Sequence, residues 1–499
     1  MNGGAVAWLV GLPLAAAPIV YLVGRLGRRR SARPFASQWL ALASLAMAWS
    51  IWLTAEYGSD PVTTATWWFG ATGLRLDGLG LLVAALALTL VTLVALFSGA
   101  DLHGRPGEEK YYALLLVELG AVLGLVCATD LFNMWLWFEV MAVGSYVLVA
   151  FWREERTSLE AGVKYLIQSA TGSTLALLGI ALVLAQTGTL DLDKIRASAQ
   201  PSPGVAAAGA LLLAGFGTKA GLVPFHTWLP DAYAQAPSGI SALLSGLITK
   251  LGLIAALRAV AALAGATPSL AVVLMGFSVL GMLVGNLLAL RQLQLKRLLA
   301  CSSLAHLGYA LLGISIGMYV GLPASAEGGV FHLLTHGLMT GAAFLAAGAL
   351  VYGRLRDRPH AALTVADLAG AARRYPLVGV ALSLAVLGLG GLPPLAGFMS
   401  EWQIFVSGFD THNPVIVALV VFAALNSVFS LAYYAPVVTA AYRRQEHTAI
   451  AQRQPVPISM TLPLLVLSMA SVTLGVWPGL AGGLVAPAAA ALVRAFSGV

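Results

Sequence analysis

Charge is what this sequence has least of. Of its 499 residues only 10% are Asp, Glu, Lys or Arg, against about 25% in an ordinary soluble domain. Hydrophobic residues make up 59%. That balance excludes a water-soluble fold and points to a chain that crosses the bilayer many times. Cysteine is scarce too. Cys127 and Cys301 both lie in or at apolar segments, with no metal-ligand spacing and no disulfide framework. The sequence also lacks a P-loop, a Rossmann glycine pattern and a cysteine set for zinc or iron–sulfur. By itself it offers no site for ATP, a nicotinamide or a redox centre, so any ion it moves must draw on a gradient or on a partner. Long polar stretches are missing as well. The longest, 187–204, contains Asp191, Asp193 and Lys194 and has room only for a short surface helix.

What fills the chain is apolar windows of about 20 residues, the length of a membrane-spanning helix. They fall near 4–24, 36–54, 74–98, 111–129, 131–151, 161–186, 205–223, 237–258, 269–290, 298–320, 326–352, 376–408, 414–442 and 458–476, which predicts an all-α polytopic membrane protein with about 14 spans. The first window has its arginines after it, not before, which reads as a span and not as a secretory signal. The Ala- and Val-rich tail after Pro478 suits a further amphipathic or surface helix.

The basic residues test this count. Arg25, Arg28, Arg29, Arg30 and Arg33 follow the first window; Arg105 and Lys110 the third; Arg153 and Arg156 the fifth; Arg291, Lys296 and Arg297 the ninth. Arg354, Arg356, Arg358, Arg373 and Arg374 follow the eleventh, and Arg443, Arg444 and Arg453 the thirteenth. The opposite side holds only Arg75, Lys194, Arg196, Arg258 and Arg494. Positively charged loops stay in the cytoplasm, so odd-numbered loops are expected inside and both termini on the outer side of the cell membrane. The basic net charge is then a matter of topology, and no nucleic-acid partner is implied.

Charges inside the windows carry the functional signal. A lysine at bilayer depth costs ~3 kcal/mol or more unless it faces protein, water or a carboxylate. Lys219 sits in such a window, and Pro224, five residues on, breaks the helix. Freed backbone groups at that depth are tolerated only against protein or a water-filled cavity. Glu139, Lys250 and Glu401 lie in other windows. Together these four residues can pair, exchange protons and form a path, with Glu139–Lys219 as a pair whose strength changes when the lysine loses its proton. His306, His332 and His336 are relay candidates. His332 and His336 have i, i+4 spacing, but without a nearby third ligand they do not make a metal site. Lys164 follows Glu160 by one helical turn, which suits an interfacial ion pair as well as a relay. Glu118 has no partner visible in sequence. Arg75 and Asp77 read as structural, and Trp67, Trp68 and Trp228 as interfacial anchors. The interrupted windows 205–223 and 376–408, the second running through Gly388, Gly390, Gly391, Pro393 and Pro394, have the pattern of broken helices in two related halves.

Three runs resemble a known family: GFGTKAGLVPFHTWLPDAYAQAPSGISALLSGLITKLGLIAALR (215–258), LKRLLACSSLAHLGYALLG (295–313) and GLPPLAGFMSEW (391–402). They are similar to the antiporter-like, proton-translocating membrane subunits of respiratory complex I (L, M and N types), of Mrp-type multisubunit antiporters and of membrane-bound hydrogenases. The resemblance implies N-terminal helices over 1–110, two inverted five-helix repeats over 111–260 and 265–445, each with a broken helix, and a C-terminal helix and tail over 455–499. It also implies roles. Glu139 resembles the glutamate that modulates the pump lysine, Lys219 the central proton carrier, Lys250 the connecting lysine and Glu401 the exit residue, with His306 and His336 on the axis between. Where several members have lysine, this chain has Glu401 and Thr340, and the usual WLPDAH reads WLPDAY with Tyr233.

The implied function is proton translocation within a redox-driven complex such as NADH:quinone oxidoreductase, with this chain as a non-redox subunit. Other membrane subunits are the expected partners, with flavin, iron–sulfur clusters and quinone held there and no cofactor or metal on this chain. The alternatives are a subunit of a multisubunit Na+(K+)/H+ antiporter or of a membrane-bound hydrogenase. A scaffold without transport is a poorer account of three lysines and two glutamates inside apolar windows.

Overall fold

The computed structural model describes residues 4–29, 36–57, 65–69, 72–103, 105–267, 269–352, 362–444 and 455–497. The loop arginines at 30, 33, 354, 356, 358 and 453, which bear on orientation, lie outside these residues. In chain order the helices are α1 (Gly4–Arg29), α2 (Ala36–Tyr57), α3 (Gly78–Asp101), α4 (Glu108–Cys127), α5 (Leu131–Val149), α6 (Arg156–Thr187), α7 (Leu192–Ser198), α8 (Pro203–Ala220), α9 (Leu229–Gln235) and α10 (Ser238–Leu243). A single π turn, Leu244–Ile248, joins α10 to α11 (Thr249–Ala261). Then come α12 (Leu270–Leu290), α13 (Leu295–Val320), α14 (Pro323–Val351), α15 (Ala371–Arg374), α16 (Pro376–Leu389), α17 (Ala396–Asp410), α18 (Pro414–Ala441), α19 (Ile458–Val476) and α20 (Gly482–Ser497).

Polar residues at the window edges set where these helices start. The Asp77 carboxylate accepts from Gly80 N at 2.8 Å and opens α3. Asp130 does the same for Asn133 N at 2.7 Å and opens α5. Ser202 caps α8, with Pro203 in its first turn, and Asn413 caps α18, with Pro414 likewise placed. Each side-chain oxygen satisfies a backbone donor that the helix start leaves unpaired, and proline has no such donor to lose.

Thirteen helices among the described residues are long and apolar enough to cross a membrane. They correspond to twelve of the fourteen sequence windows plus the stretch Pro478–Phe496. The two windows that drop out are the interrupted ones. The 14 residues of α16 rise only about 21 Å, short of a bilayer core of about 30 Å.

Burial sorts the helices into a centre and a rim. The most apolar stretch of Ser238–Ala261 is 100% buried, as is that of Leu295–Val320, and Pro323–Val351 reaches 94%, against 33% for Pro414–Ala441. The three enclosed helices are the ones that carry Lys250, His306 and the pair His332 and His336. Small residues let backbones meet where polar side chains need positioning. A Cβ on Gly215 of α8 would lie 2.5 Å from Ala176 N of α6, and one on Gly252 of α11 would lie 2.5 Å from Ala220 N beside Lys219.

One feature differs from the sequence expectation. Residues 74–76 are not helical: Ala65–Phe69 and Thr72–Leu76 form an antiparallel hairpin, β1–β2, with Ala65 opposite Leu76, and the span starts only after Asp77. Trp67 and Trp68 stand on β1, Trp68 being exposed. At the end of the chain, α20 packs against α3 and α14, with Pro487 meeting Gly78 in the first turn of α3 and a further contact at the turn 264–266. It thus lies against one end of the bundle, burying Val485, Ala488, Ala489, Leu492 and Val493. The polar connection 187–204 does hold the short helix α7. There Asp193 accepts from Arg75 at 2.7 Å and ties α7 to the hairpin. Burial opposes ionisation of this carboxylate, but the hydrogen bond and charge of Arg75 and the charge of Arg196 outweigh it and hold the group below its usual range.

The same end carries a stronger tie. Arg258 Nη2 reaches both Asp77 oxygens, at 2.7 and 2.5 Å, with the two side chains 10% and 20% exposed. Asp77→Asn keeps a capping oxygen but leaves the guanidinium half-paired, so it should lower stability in detergent by about 3 kcal/mol. Thermal unfolding of Asp77→Asn, Arg258→Met and the double variant checks this. The double variant should cost less than the sum of the two, and strict additivity would show the residues uncoupled.

Candidate functional site

Helix α8 stops in the middle of its window because Gly221 takes φ +73 and Leu222 N turns back to Gly217 O at 2.9 Å, a closure that glycine makes at little cost. The loop that follows contains the cis peptide Val223–Pro224. Thr218 O, in the last turn before the break, accepts from Gly221 N at 3.2 Å and from Trp228 Nε1 at 2.9 Å. Trp228 is therefore not the interfacial anchor expected from sequence. It is 1% exposed and lies flat on Tyr165, with ring centroids 4.0 Å apart. Buried backbone at a helix end needs donors, and the indole supplies one of them.

Lys219 occupies the last turn of α8 and is 1% exposed. Its Nζ lies 4.5 Å from the Tyr165 ring centroid and 5.9 Å from that of Phe138, within cation–π range. It has no hydrogen-bond partner and makes no ion pair with Glu139. Glu139 is half-buried on α5, and its Oε1 is likewise unpartnered. Two carboxylates, Glu118 of α4 and Glu139 of α5, are close enough for their charge to act on the Lys219 ammonium. Both oxygens of Glu118, the Tyr165 hydroxyl and the Ser169 hydroxyl are also buried without partners. Each such group costs about 1–3 kcal/mol, so a cluster of them marks a place where something other than stability is served.

Lys250 stands in the first turn of α11 and is 1% exposed. Its Nζ donates to Ser245 O at 2.8 Å, a carbonyl of the π turn. Single π turns inside α-helices are found frequently at functional sites. Ser245 Oγ in turn meets Ser303 Oγ of α13 at 2.8 Å, linking the two enclosed helices.

Beyond Ser303 the polar groups are joined to one another. His306 Nδ1 and His332 Nε2 lie 3.2 Å apart, and His306 Nε2 lies 3.2 Å from the Tyr434 hydroxyl. His332 Nδ1 meets Ser400 Oγ at 2.9 Å. Glu401 follows Ser400 in α17. Its Oε2 accepts from Ser427 at 2.6 Å, and its Oε1 has no partner. His336 stacks on His306 with ring centroids 4.8 Å apart and leaves its Nε2 unpartnered. The second break positions Glu401. Gly391 takes φ +67, and a Cβ there would fall 2.7 Å from Glu401 Oε2. This break also contains a cis peptide, Pro393–Pro394. The sequence shows no third ligand near His332 and His336, but the fold brings ligating atoms of His306, His332 and Glu401 within 4.8 Å of one another. That donor set suits a divalent cation, although both histidines already share a hydrogen-bond contact with each other.

One predicted relay residue lies elsewhere. Lys164 is half-exposed and bridges Glu160 at 2.7 Å and Asp231 at 3.0 Å, and Asp231 also binds Arg297 at 2.9 Å. It belongs to an ion network at the basic end of the bundle, away from the buried line. Near that end a cavity of about 70 Å³ lies between Asp101, Arg105 and Lys296, with Ser238 at the foot of α10 on its wall.

Sequence reading overlooked several members of the site. Tyr433 donates to Asn286 Oδ1 at 2.7 Å, Asn286 to Asn426 O at 2.8 Å, and Asn426 to the Tyr309 hydroxyl at 2.9 Å. An asparagine inside an apolar window is the signal that identifies such a network, since a buried amide without partners is expensive.

Comparison with known proteins agrees with this fold. Residues 128–430 match the family described as NADH:quinone oxidoreductase/Mrp antiporter, TM. NADH-quinone oxidoreductase subunit N of Desulforudis audaxviator is 32% identical over 80% of this chain and 82% of its own length. F420H2 dehydrogenase subunit N of Methanosarcina mazei is 32% identical over 81% and 82%. A chain of the membrane-bound sulfane sulfur reductase, an archaeal respiratory membrane complex, superposes with a TM-score of 0.86 at 26% identity, covering 98% of both chains. The chain belongs to the NADH:quinone oxidoreductase/Mrp antiporter transmembrane family.

Proposed function

We propose that this chain translocates protons as a subunit of a redox-driven membrane complex of the NADH:quinone oxidoreductase kind. The observation that carries the reading is Lys219: an ammonium at a helix break, enclosed by protein, without a hydrogen bond, at the start of a buried line of Lys250, His306, His332 and Glu401. A purely structural lysine would be expected to be paired.

In this mechanism Lys219 takes a proton from the basic end of the bundle. The charges of Glu118 and Glu139 hold it there, not hydrogen bonds, so moving either carboxylate changes how firmly it is held. The proton passes to Lys250 and then along His306 and His332, with His336 beside them, to Glu401, which releases it on the other side. The cavity between Asp101 and Lys296 is a candidate entrance. The two interrupted helices at 203–235 and 376–410 support the division into repeats over 111–260 and 265–445, and the charge asymmetry supports both termini on the outer side.

The relatives are named for NADH, F420H2 and sulfane sulfur, so similar membrane chains work with different electron donors or acceptors. This supports flavin, iron–sulfur clusters and quinone in partner subunits and none on this chain. An Na+ or K+/H+ antiporter subunit is the second reading, favoured by the Mrp members of the family. Mass spectrometry of the complex purified in mild detergent separates the two. Redox subunits support the first, and small hydrophobic subunits alone support the second.

Two variants test the site. Lys219→Ala should abolish proton uptake into proteoliposomes per electron transferred while the complex still assembles, and unchanged pumping would sink the mechanism. Gly252→Val should impair pumping severely, because even a Cβ there sits 2.8 Å from the Lys219 backbone carbon, whereas Gly265→Ala, with nothing within 4 Å, should be neutral. Equal activity of both glycine variants would show that the placement of Lys219 does not matter.

A further inference from the structure

Glu118 stands outside the line from Glu139 through Lys219 and Lys250 to Glu401. It sits about 15 Å along α4 from the basic end, by its ten-residue distance from Glu108. Its side chain is 4% exposed, and neither oxygen has a protein partner. The fold makes a slot for it: Gly144 of α5 faces the carboxylate, and a Cβ there would collide with Oε1. Ser145, next in the chain, gives its hydroxyl to Met141 O at 2.6 Å and lies beside both Glu118 and Tyr165. Tyr165, unpartnered at its own hydroxyl, places its ring 4.5 Å from Lys219 Nζ. Five buried polar atoms from three helices, Glu118 Oε1 and Oε2, the Tyr165 and Ser169 hydroxyls and Lys219 Nζ, thus lack hydrogen bonds in one neighbourhood. Glu139, by contrast, lies at the margin of the exposed face of α5 formed by Leu136, Val140 and Val143.

We infer that Glu118 is the carboxylate that exchanges the proton with Lys219, Glu139 serving as the second, outer charge. The step is a transfer of one proton. Lys219 Nζ–H gives its proton to a Glu118 oxygen, leaving a neutral amine and a carboxylic acid, and the reverse step reloads the lysine. Nothing is oxidised or reduced, and no net charge enters the cluster during the exchange. The inference rests on the proton-translocating reading and turns Glu118, there only a holding charge, into a proton-exchanging group.

The test is Glu118→Gln in the intact complex, measured as protons moved per electron, with redox-difference infrared spectra in the carboxylic C=O region. Glu118→Gln should lose pumping and lose a protonated-carboxyl band that Glu139→Gln retains, and Glu118→Asp should restore part of both. Wild-type pumping, or an undiminished band, in Glu118→Gln overturns the assignment. Should Glu118→Gln fail to assemble, Gly144→Ala displaces the carboxylate without removing it. The band should then shift, and an unshifted band with normal pumping overturns the inference equally. Lys219→Ala separates the two levels. If it still pumps, the transport reading itself fails. If it does not, while Glu118→Gln behaves as wild type, only the role of Glu118 falls.

Discussion

A lysine ammonium held inside a helix bundle without a hydrogen bond is the constraint on which this structure turns. Lys219 stands where α8 ends early, and at that end the Thr218 carbonyl accepts both the Gly221 N–H and the Trp228 indole. Trp228 in turn is held flat by Tyr165, and its backbone N donates to Gln168 at 3.0 Å. The result is a site that is rigid in its backbone and unsatisfied in its side chains, the combination expected where charge has to move and the scaffold must not.

The enclosed helices show why the line runs where it does. α11, α13 and α14 touch neither lipid nor water along most of their length, so polar side chains on them face only protein. That makes hydrogen-bonded strings such as Ser245–Ser303 and His306–His332–Ser400 affordable. The π turn sits in this enclosed region too, and its Ser245 carbonyl is the acceptor for Lys250.

Much of this was legible in the sequence, and for one reason: a charge inside an apolar window is conspicuous. Lys219, Lys250, Glu139 and Glu401 stand out in this way, and the spans follow from hydropathy because backbone groups in lipid must pair within the helix. What stayed hidden depends on contacts between distant segments. The slot for Glu118 is made by Gly144 on another helix, and no spacing rule connects Glu118 to Lys219, a hundred residues apart. Trp228 looked like an anchor because tryptophan usually is one, and only the broken helix beside it reveals a buried acceptor. The hairpin 65–76 was missed because its apolar strand residues blend into the following window. Tyr309, Asn286, Asn426 and Tyr433 form a network only after three helices, α12, α13 and α18, are packed together.

The two halves of the buried line differ in how their polar atoms are held, and the difference has a mechanical meaning under the proposed function. Around Lys219 most polar atoms lack partners. From Ser245 to Ser427 most have them, Glu401 Oε1 and His336 Nε2 being the open ends. A bonded string passes a proton along but resists rearrangement, because each move breaks a bond that must be remade. An unbonded cluster moves at little cost in hydrogen bonds and answers chiefly to nearby charge. Under that function, the part of the molecule able to respond to a nearby change of charge is the Lys219 cluster, with the half-buried Glu139 at its margin. The histidine half is then built to conduct, and the lysine half to decide when conduction begins.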